Sequence, residues 1–187
     1  MNVPGEERYI FKLVLTGNER VGKTTLRKRF MGIGFAGEYK KTIGVDLSYM
    51  KFRKGNEEHD LVIWDIAGDA NFQKNRAMYY RGTNGAFLVL DVTTDGDLQT
   101  YVQPWIDDFN RQGIIKHMQL AIIFNKIDLE GERKLFEKEK QQIIDYVKEN
   151  IDNKEIEIGS FETSALTGDG VKEAFEWLIE KMLETHG

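Results

Sequence analysis

At 187 residues, 41% apolar and 30% charged, the chain is long enough to bury one substantial core and has the make-up of an ordinary soluble globular protein. It has no cysteine, which excludes disulfides, thiolate metal sites and cysteine catalysis, and His59, His117 and His186 share no metal-ligand spacing. The 31 acidic residues outnumber 26 basic ones, and the net charge of −5 argues against a general nucleic-acid binder. No apolar run approaches the roughly 18 residues of a membrane span. Residues Met1 to Gly5 lack a signal-peptide core and the glycine needed for myristoylation, so the expectation is one soluble, cytoplasmic domain over residues 1–187.

In chain order, Tyr9 to Thr16 reads as a buried strand, followed by the loop Gly17-Asn18-Glu19-Arg20-Val21-Gly22-Lys23-Thr24 and a helix to about Met31. Arg27, Lys28 and Arg29 on that helix read as a solvated face. Gly32, Gly34 and Gly37 make a flexible connection. Ile43 to Lys54 and Glu58 to Ile66 are strand-like and close enough to form a hairpin, so the first should run antiparallel to an otherwise parallel sheet. Asn71 to Arg81 is a short helix, and Gly85 to Asp91 an apolar run suited to a central strand. Leu98 to Gln112 is helical, with Val102, Trp105, Ile106 and Phe109 on one face and with a start or kink near Pro104. Leu120 to Phe124 is a strand, Glu132 to Asn150 a charged helix, and Ile156 to Thr163 the last strand. Val171, Phe175, Leu178, Ile179 and Met182 give the closing helix one apolar stripe. This alternation predicts an α/β fold with a six-stranded, mostly parallel sheet flanked by five helices.

The glycine loop between a strand and a helix has the form of a phosphate-binding loop. Gly17 and Gly22 allow successive N–H groups to converge on an anion, and the helix adds the positive end of its dipole. Lys23 would reach the outer phosphates and the Thr24 hydroxyl would ligate Mg²⁺. Asp65 ends an apolar strand, where it can hold Mg²⁺ through water, and the Gly68 N–H can meet a terminal phosphate. After the strand at Leu120, Asn125-Lys126-Ile127-Asp128 offers a carboxylate that accepts two N–H bonds from the guanine edge; adenine lacks both donors. Thr163-Ser164-Ala165 supplies a backbone N–H for the guanine carbonyl.

Taken together these five ordered motifs resemble the Ras superfamily of small GTPases, closest to the Rab branch on Tyr39 to Asp46 and on Tyr79-Tyr80-Arg81-Gly82. The resemblance implies GTP or GDP with Mg²⁺, held by Gly17 through Thr24, Thr25, Phe35, Tyr39, Thr42, Gly68, Asn125, Lys126, Asp128, Ser164, Ala165 and Leu166. It makes Thr24, Thr42 and, through water, Asp65 the metal ligands, with Lys23, Thr42, Gly68 and Asp69 at the reacting phosphate. Phe35 would pack on the guanine and Tyr39 would cover the phosphates. It also implies two switches, one at Thr42 and one from Asp65 to about Tyr80, read by an exchange factor, an activating protein and effectors.

The chain departs from that pattern in three places. Asp69 stands where the family usually has the glutamine that orients water, and Ala70 and Asn71 replace the usual Glu-Arg, so hydrolysis should be slow. Glu19 and Arg20 occupy loop positions where relatives mostly carry small residues: either one of them assists the water, or both face solvent. No prenylatable cysteine follows the last helix, so either the sequence is truncated or this member works without a lipid anchor, and none is expected in this chain as given. Two rivals stand beside the slow GTPase: a pseudo-GTPase that binds nucleotide without useful turnover, and an ATP-using enzyme, against which the Asn125 to Asp128 motif argues.

Overall fold

The structure, a computed structural model, describes residues 8–33, 42–69, 73–95, 97–112 and 118–186. Phe35, Tyr39 and the expected glycine connection at Gly34 and Gly37 lie outside the described residues, as do Ala70, Asn71 and Phe72. Six strands make one sheet: β1 (Ile10–Thr16), β2 (Val45–Lys54), β3 (Glu57–Ile66), β4 (Gly85–Asp91), β5 (Gln119–Asn125) and β6 (Ile158–Thr163). Their order is β2-β3-β1-β4-β5-β6, and every neighbouring pair is parallel except the β2–β3 hairpin. That hairpin turns on Gly55 and Asn56 alone, which sets Lys54 opposite Glu57.

Six α-helices occur among the described residues, not the five expected: α1 (Lys23–Phe30), α2 (Gln73–Tyr80), α3 (Leu98–Tyr101), α4 (Gln103–Gln112), α5 (Glu137–Asn150) and α6 (Val171–His186). The additional helix comes from the stretch expected as one helix, which divides at Val102 between α3 and α4. Pro104 is the second residue of α4, in the first turn, where amides have no intrahelical acceptor and a missing N–H costs nothing. A second correction concerns α5, which begins at Glu137 rather than Glu132; residues Glu130–Glu132 form a single 3-10 turn. The N–H groups of Lys134 and Leu135 both donate to Val92 O, and Leu135 is buried, so this segment is drawn onto the end of β4 before the helix can start.

The apolar alternation along the parallel strands feeds two cores. Val14, Ala86, Leu88, Leu90, Leu120, Ile122 and Phe124 point to one face, where Tyr80, Val102, Trp105, Ile106, Phe109, Ile143 and Val147 cover them. Leu13, Leu15, Leu61, Ile63, Phe87, Val89, Ala121 and Ile123 point to the other, against Leu26, Ala174, Phe175, Leu178 and Met182. A sheet buried on both faces leaves one natural place for a polar site, the rim beyond its carboxyl ends.

Candidate functional site

Register brings the functional residues to one rim. Leu15 pairs with Asp65, so β1 and β3 end together; Asp91 pairs with Asn125 and Asn125 with Thr163, so β4, β5 and β6 also end together, but Thr16 pairs with Leu88, which carries that second group three residues beyond the first on the same side of the sheet. The loop leaving β1 wraps there because its glycines adopt backbone that side chains rarely tolerate: Gly17 has φ 127° and Gly22 has φ 100°. A Cβ on Gly17 would lie 2.1 Å from Val89 O, and one on Gly22 would lie 2.3 Å from Asn125 Nδ2. Both glycines are thus required by packing as well as by conformation.

Lys23, at the start of α1, is almost fully buried, and its ammonium donates to Gly17 O at 2.6 Å and Asn18 O at 2.7 Å. Burial pulls its pKa down to about 8, partly opposed by the Asp65 charge. Beside it, the Thr24 hydroxyl donates to Asp65 Oδ2 at 2.5 Å and lies 3.1 Å from the Thr42 hydroxyl. Asp65 itself is fully buried, and its Oδ1 has no hydrogen-bond partner among the described residues. Burial raises its pKa, against the Thr24 hydrogen bond and the charges of Lys23 and Arg27. One orphaned carboxylate oxygen and two hydroxyls are hard oxygen donors, the set that suits Mg²⁺. Gly68 follows on the same rim and sits directly on the loop: a Cβ there would fall 2.4 Å from Asn18 C and 2.5 Å from both Glu19 N and Gly17 O.

The second half of the rim is tied to the first by Asn125. Its Nδ2 donates to Val21 O at 2.8 Å, while Oδ1 accepts from Thr163 Oγ1 and from Ala165 N, each at 3.0 Å. One buried amide therefore holds three loops together, and it engages the Ala165 N–H that the sequence assigned to a base. Ser164 donates its hydroxyl to Asp128 Oδ1 at 2.5 Å, and Lys126, at φ 72°, ion-pairs with Asp91. Thr25 is half-buried on α1 and Leu166 is exposed.

Three features of this region were not legible as spacing. Helix α1 is not a solvated basic face: Arg27 is buried and bonds Asp46 and Ser48, and Arg29 donates to Ala165 O at 3.1 Å and to Leu166 O. Trp105, expected only as a core residue, also donates its indole N–H to Asn18 Oδ1 at 2.9 Å. The Arg76 guanidinium stacks 4.1 Å from the Trp105 ring and pairs with Asp108 at 3.3 Å, both charges being buried. The same cluster therefore joins the glycine loop, α4 and α2. A groove of about 760 Å³ between α1, β2 and α6, lined by Phe30, Met50, Phe52, Val171 and Ile179 among others, shares no residue with either half of the rim.

A family model described as the Ras family matches residues 12–184. The chain is 32% identical to Ras-related protein Rab-15 of Rattus norvegicus over 177 residues, 95% of this chain and 78% of that protein. It is 34% identical to Ras-related protein Rab-21 of Mus musculus over 177 residues, 95% and 75% of the two chains. To Ras-related protein Rab-3 of Caenorhabditis elegans the identity is 30% over 172 residues, 92% and 74%. The chain therefore belongs to the Ras family of small GTPases and is Rab-like within it.

Proposed function

We propose that this chain is a single-domain cytoplasmic switch that binds GTP or GDP with Mg²⁺, hydrolyses GTP slowly, and signals through the segments around Thr42 and from Asp65 to Tyr80. The observation that carries this reading is the convergence of Thr24, Thr42 and Asp65 oxygens beside the buried Lys23 ammonium, with Thr24 Oγ1 2.5 Å from Asp65 and 3.1 Å from Thr42. Lys23 and the loop N–H groups hold the outer phosphates. Thr24, Thr42 and, through water, Asp65 would hold Mg²⁺, which would supply charge neutralisation for the phosphates. Gly68 directs its N–H to the terminal phosphate. Asp128 accepts from the guanine edge, with Lys126, Ser164, Ala165, Leu166 and Asn125 shaping its pocket.

Water is the nucleophile, and no covalent intermediate is needed. Asp69 is anionic and one methylene shorter than glutamine, so it cannot donate toward the γ-phosphate and repels it. Glu19 lies 4.0 Å from Arg20 Nε, and this loop pair either assists the water or is spectator to it. Ile43, Leu47, Tyr49 and Met78 are all more than half exposed, with values of 79%, 51%, 54% and 68%, and supply an apolar surface for effectors, an exchange factor and an activating protein.

Asp69 is also the specific observation that favours the second reading, a pseudo-GTPase that binds nucleotide without turnover. Single-turnover hydrolysis of preloaded GTP with Mg²⁺, beside Asp69→Gln and Glu19→Ala, separates them. A slow wild-type rate that rises with glutamine supports the GTPase; a wild-type rate that only Glu19→Ala lowers assigns the water to Glu19. No phosphate from either wild type or Asp69→Gln over many hours leaves the binding module. Adenine nucleotide bound as tightly as guanine would overturn both.

A further inference from the structure

Helix α1 buries a full positive charge against the donor set. The Arg27 side chain is 5% exposed, its Nη1 and Nη2 bond Ser48 and Asp46 of β2, and its Nε lies 4.0 Å from Asp65 Oδ2. That Nε has no hydrogen-bond partner among the described residues, so the charge is held at Asp65 by its two other nitrogens. Asp65 in turn spends Oδ2 on Thr24 and leaves Oδ1 orphaned. A buried carboxylate without a compensating cation repels any polyanion placed beside it.

We propose that Arg27 is a resident counter-charge for Asp65, a positioning residue that makes nucleotide retention less dependent on Mg²⁺. The inference rests on the nucleotide reading above. The guanidinium neutralises Asp65 when no metal is bound, and so lowers the repulsion between Asp65 and the phosphates. When metal binds at the free Oδ1, the same charge opposes it electrostatically. Both effects act in one direction: they reduce the coupling between metal and nucleotide, which linkage makes identical whichever ligand is followed. Asp46, a more exposed carboxylate on β2, shares the guanidinium and sets how much of its charge Asp65 feels.

The test is release of fluorescent GDP from the full chain, in saturating Mg²⁺ and in excess EDTA, for wild type, Arg27→Met, Arg27→Lys and Asp46→Asn. The readout is the ratio of the two release rates, together with the Mg²⁺ concentration at half-maximal retention. Arg27→Met should raise the ratio by about tenfold and move half-retention to lower Mg²⁺, because a buried charge pair is being broken. Arg27→Lys keeps the charge and should stay within about threefold of wild type. Asp46→Asn frees the guanidinium for Asp65 and should lower the ratio, which decides the matter even if Arg27→Met fails to fold. A ratio unmoved by Arg27→Met, with both rates rising together, would reduce Arg27 to a clamp between α1 and β2 and overturn the proposal. So would an unchanged or higher ratio in Asp46→Asn. Failure of the wild type to retain any guanine nucleotide would instead bring down the nucleotide reading, and this assignment with it.

Discussion

The buried pair between Arg76 of α2 and Asp108 of α4 gives the sharpest stability test of how α2 is anchored. Both side chains are at most 5% exposed, and the closest approach is 3.3 Å. Burial raises the Asp108 pKa despite the opposing charges of Arg76 and Arg111, and the buried Tyr80 hydroxyl beside it is pushed up as well. Asp108→Ala would leave a guanidinium enclosed without its carboxylate, a loss of about 3–5 kcal/mol. In a chain of 187 residues that corresponds to a fall in Tm of about 6–20 °C. Arg76→Met should cost less: Arg111 Nη1, 3.4 Å from Asp108 at the solvent edge, remains, while the stacking 4.1 Å from Trp105 is lost, at about 0.5–2 kcal/mol. The double variant Arg76→Met/Asp108→Leu removes both charges and should recover to within about 2 kcal/mol of wild type. Urea unfolding of these proteins, with the single variant Asp108→Leu added to close the cycle, is expected to give a coupling of about 2–4 kcal/mol. A loss below about 1 kcal/mol for Asp108→Ala, or strictly additive single variants, would refute the view that this pair is desolvated and coupled.

Asn125→Ala strips Val21 O, Thr163 Oγ1 and Ala165 N of their shared partner at 2.8, 3.0 and 3.0 Å, so urea unfolding should show a loss of about 3–5 kcal/mol and fluorescent-GDP titration a sharp drop in affinity. Gly68→Ala places a Cβ 2.4 Å from Asn18 C, which must lift the Gly68 backbone off the glycine loop; single-turnover hydrolysis should fall by about 10²-fold while GDP binding changes far less. Lys12 lies 3.6 Å over the Trp64 ring and donates to Arg81 O, and burial lowers its pKa from 10.5 to about 8. Between those values the unfolded chain binds more protons, so stability rises with pH across this window. Lys12→Met should remove that rise, about 1 kcal/mol after solvent screening is allowed for, as measured by urea midpoints at the two ends of the window.

The sequence by itself determined the α/β class, the antiparallel hairpin and the strand ends that carry Asp65, Asn125 and Thr163, because periodicity and glycine punctuation are local properties. The tight glycine loop between β1 and α1 was legible for the same reason: Gly17, Gly22, Lys23 and Thr24 lie within a few residues of one another. The break at Val102 was half legible, since Pro104 forbids the helix interior but does not say on which side the chain will turn. What only the tertiary structure decided were the partners of side chains that reach across elements. Arg27 looked like part of a solvated basic run, yet its acceptors stand 19 and 21 residues away on a strand that the hairpin brings over α1. Trp105 was readable as apolar, while its N–H bond to Asn18 spans 87 residues and depends on how α4 packs beside the loop. A guanidinium or an indole can be solvated, paired or buried with the same neighbours in sequence, and the sheet's register, fixed by the whole core at once, selects among these outcomes.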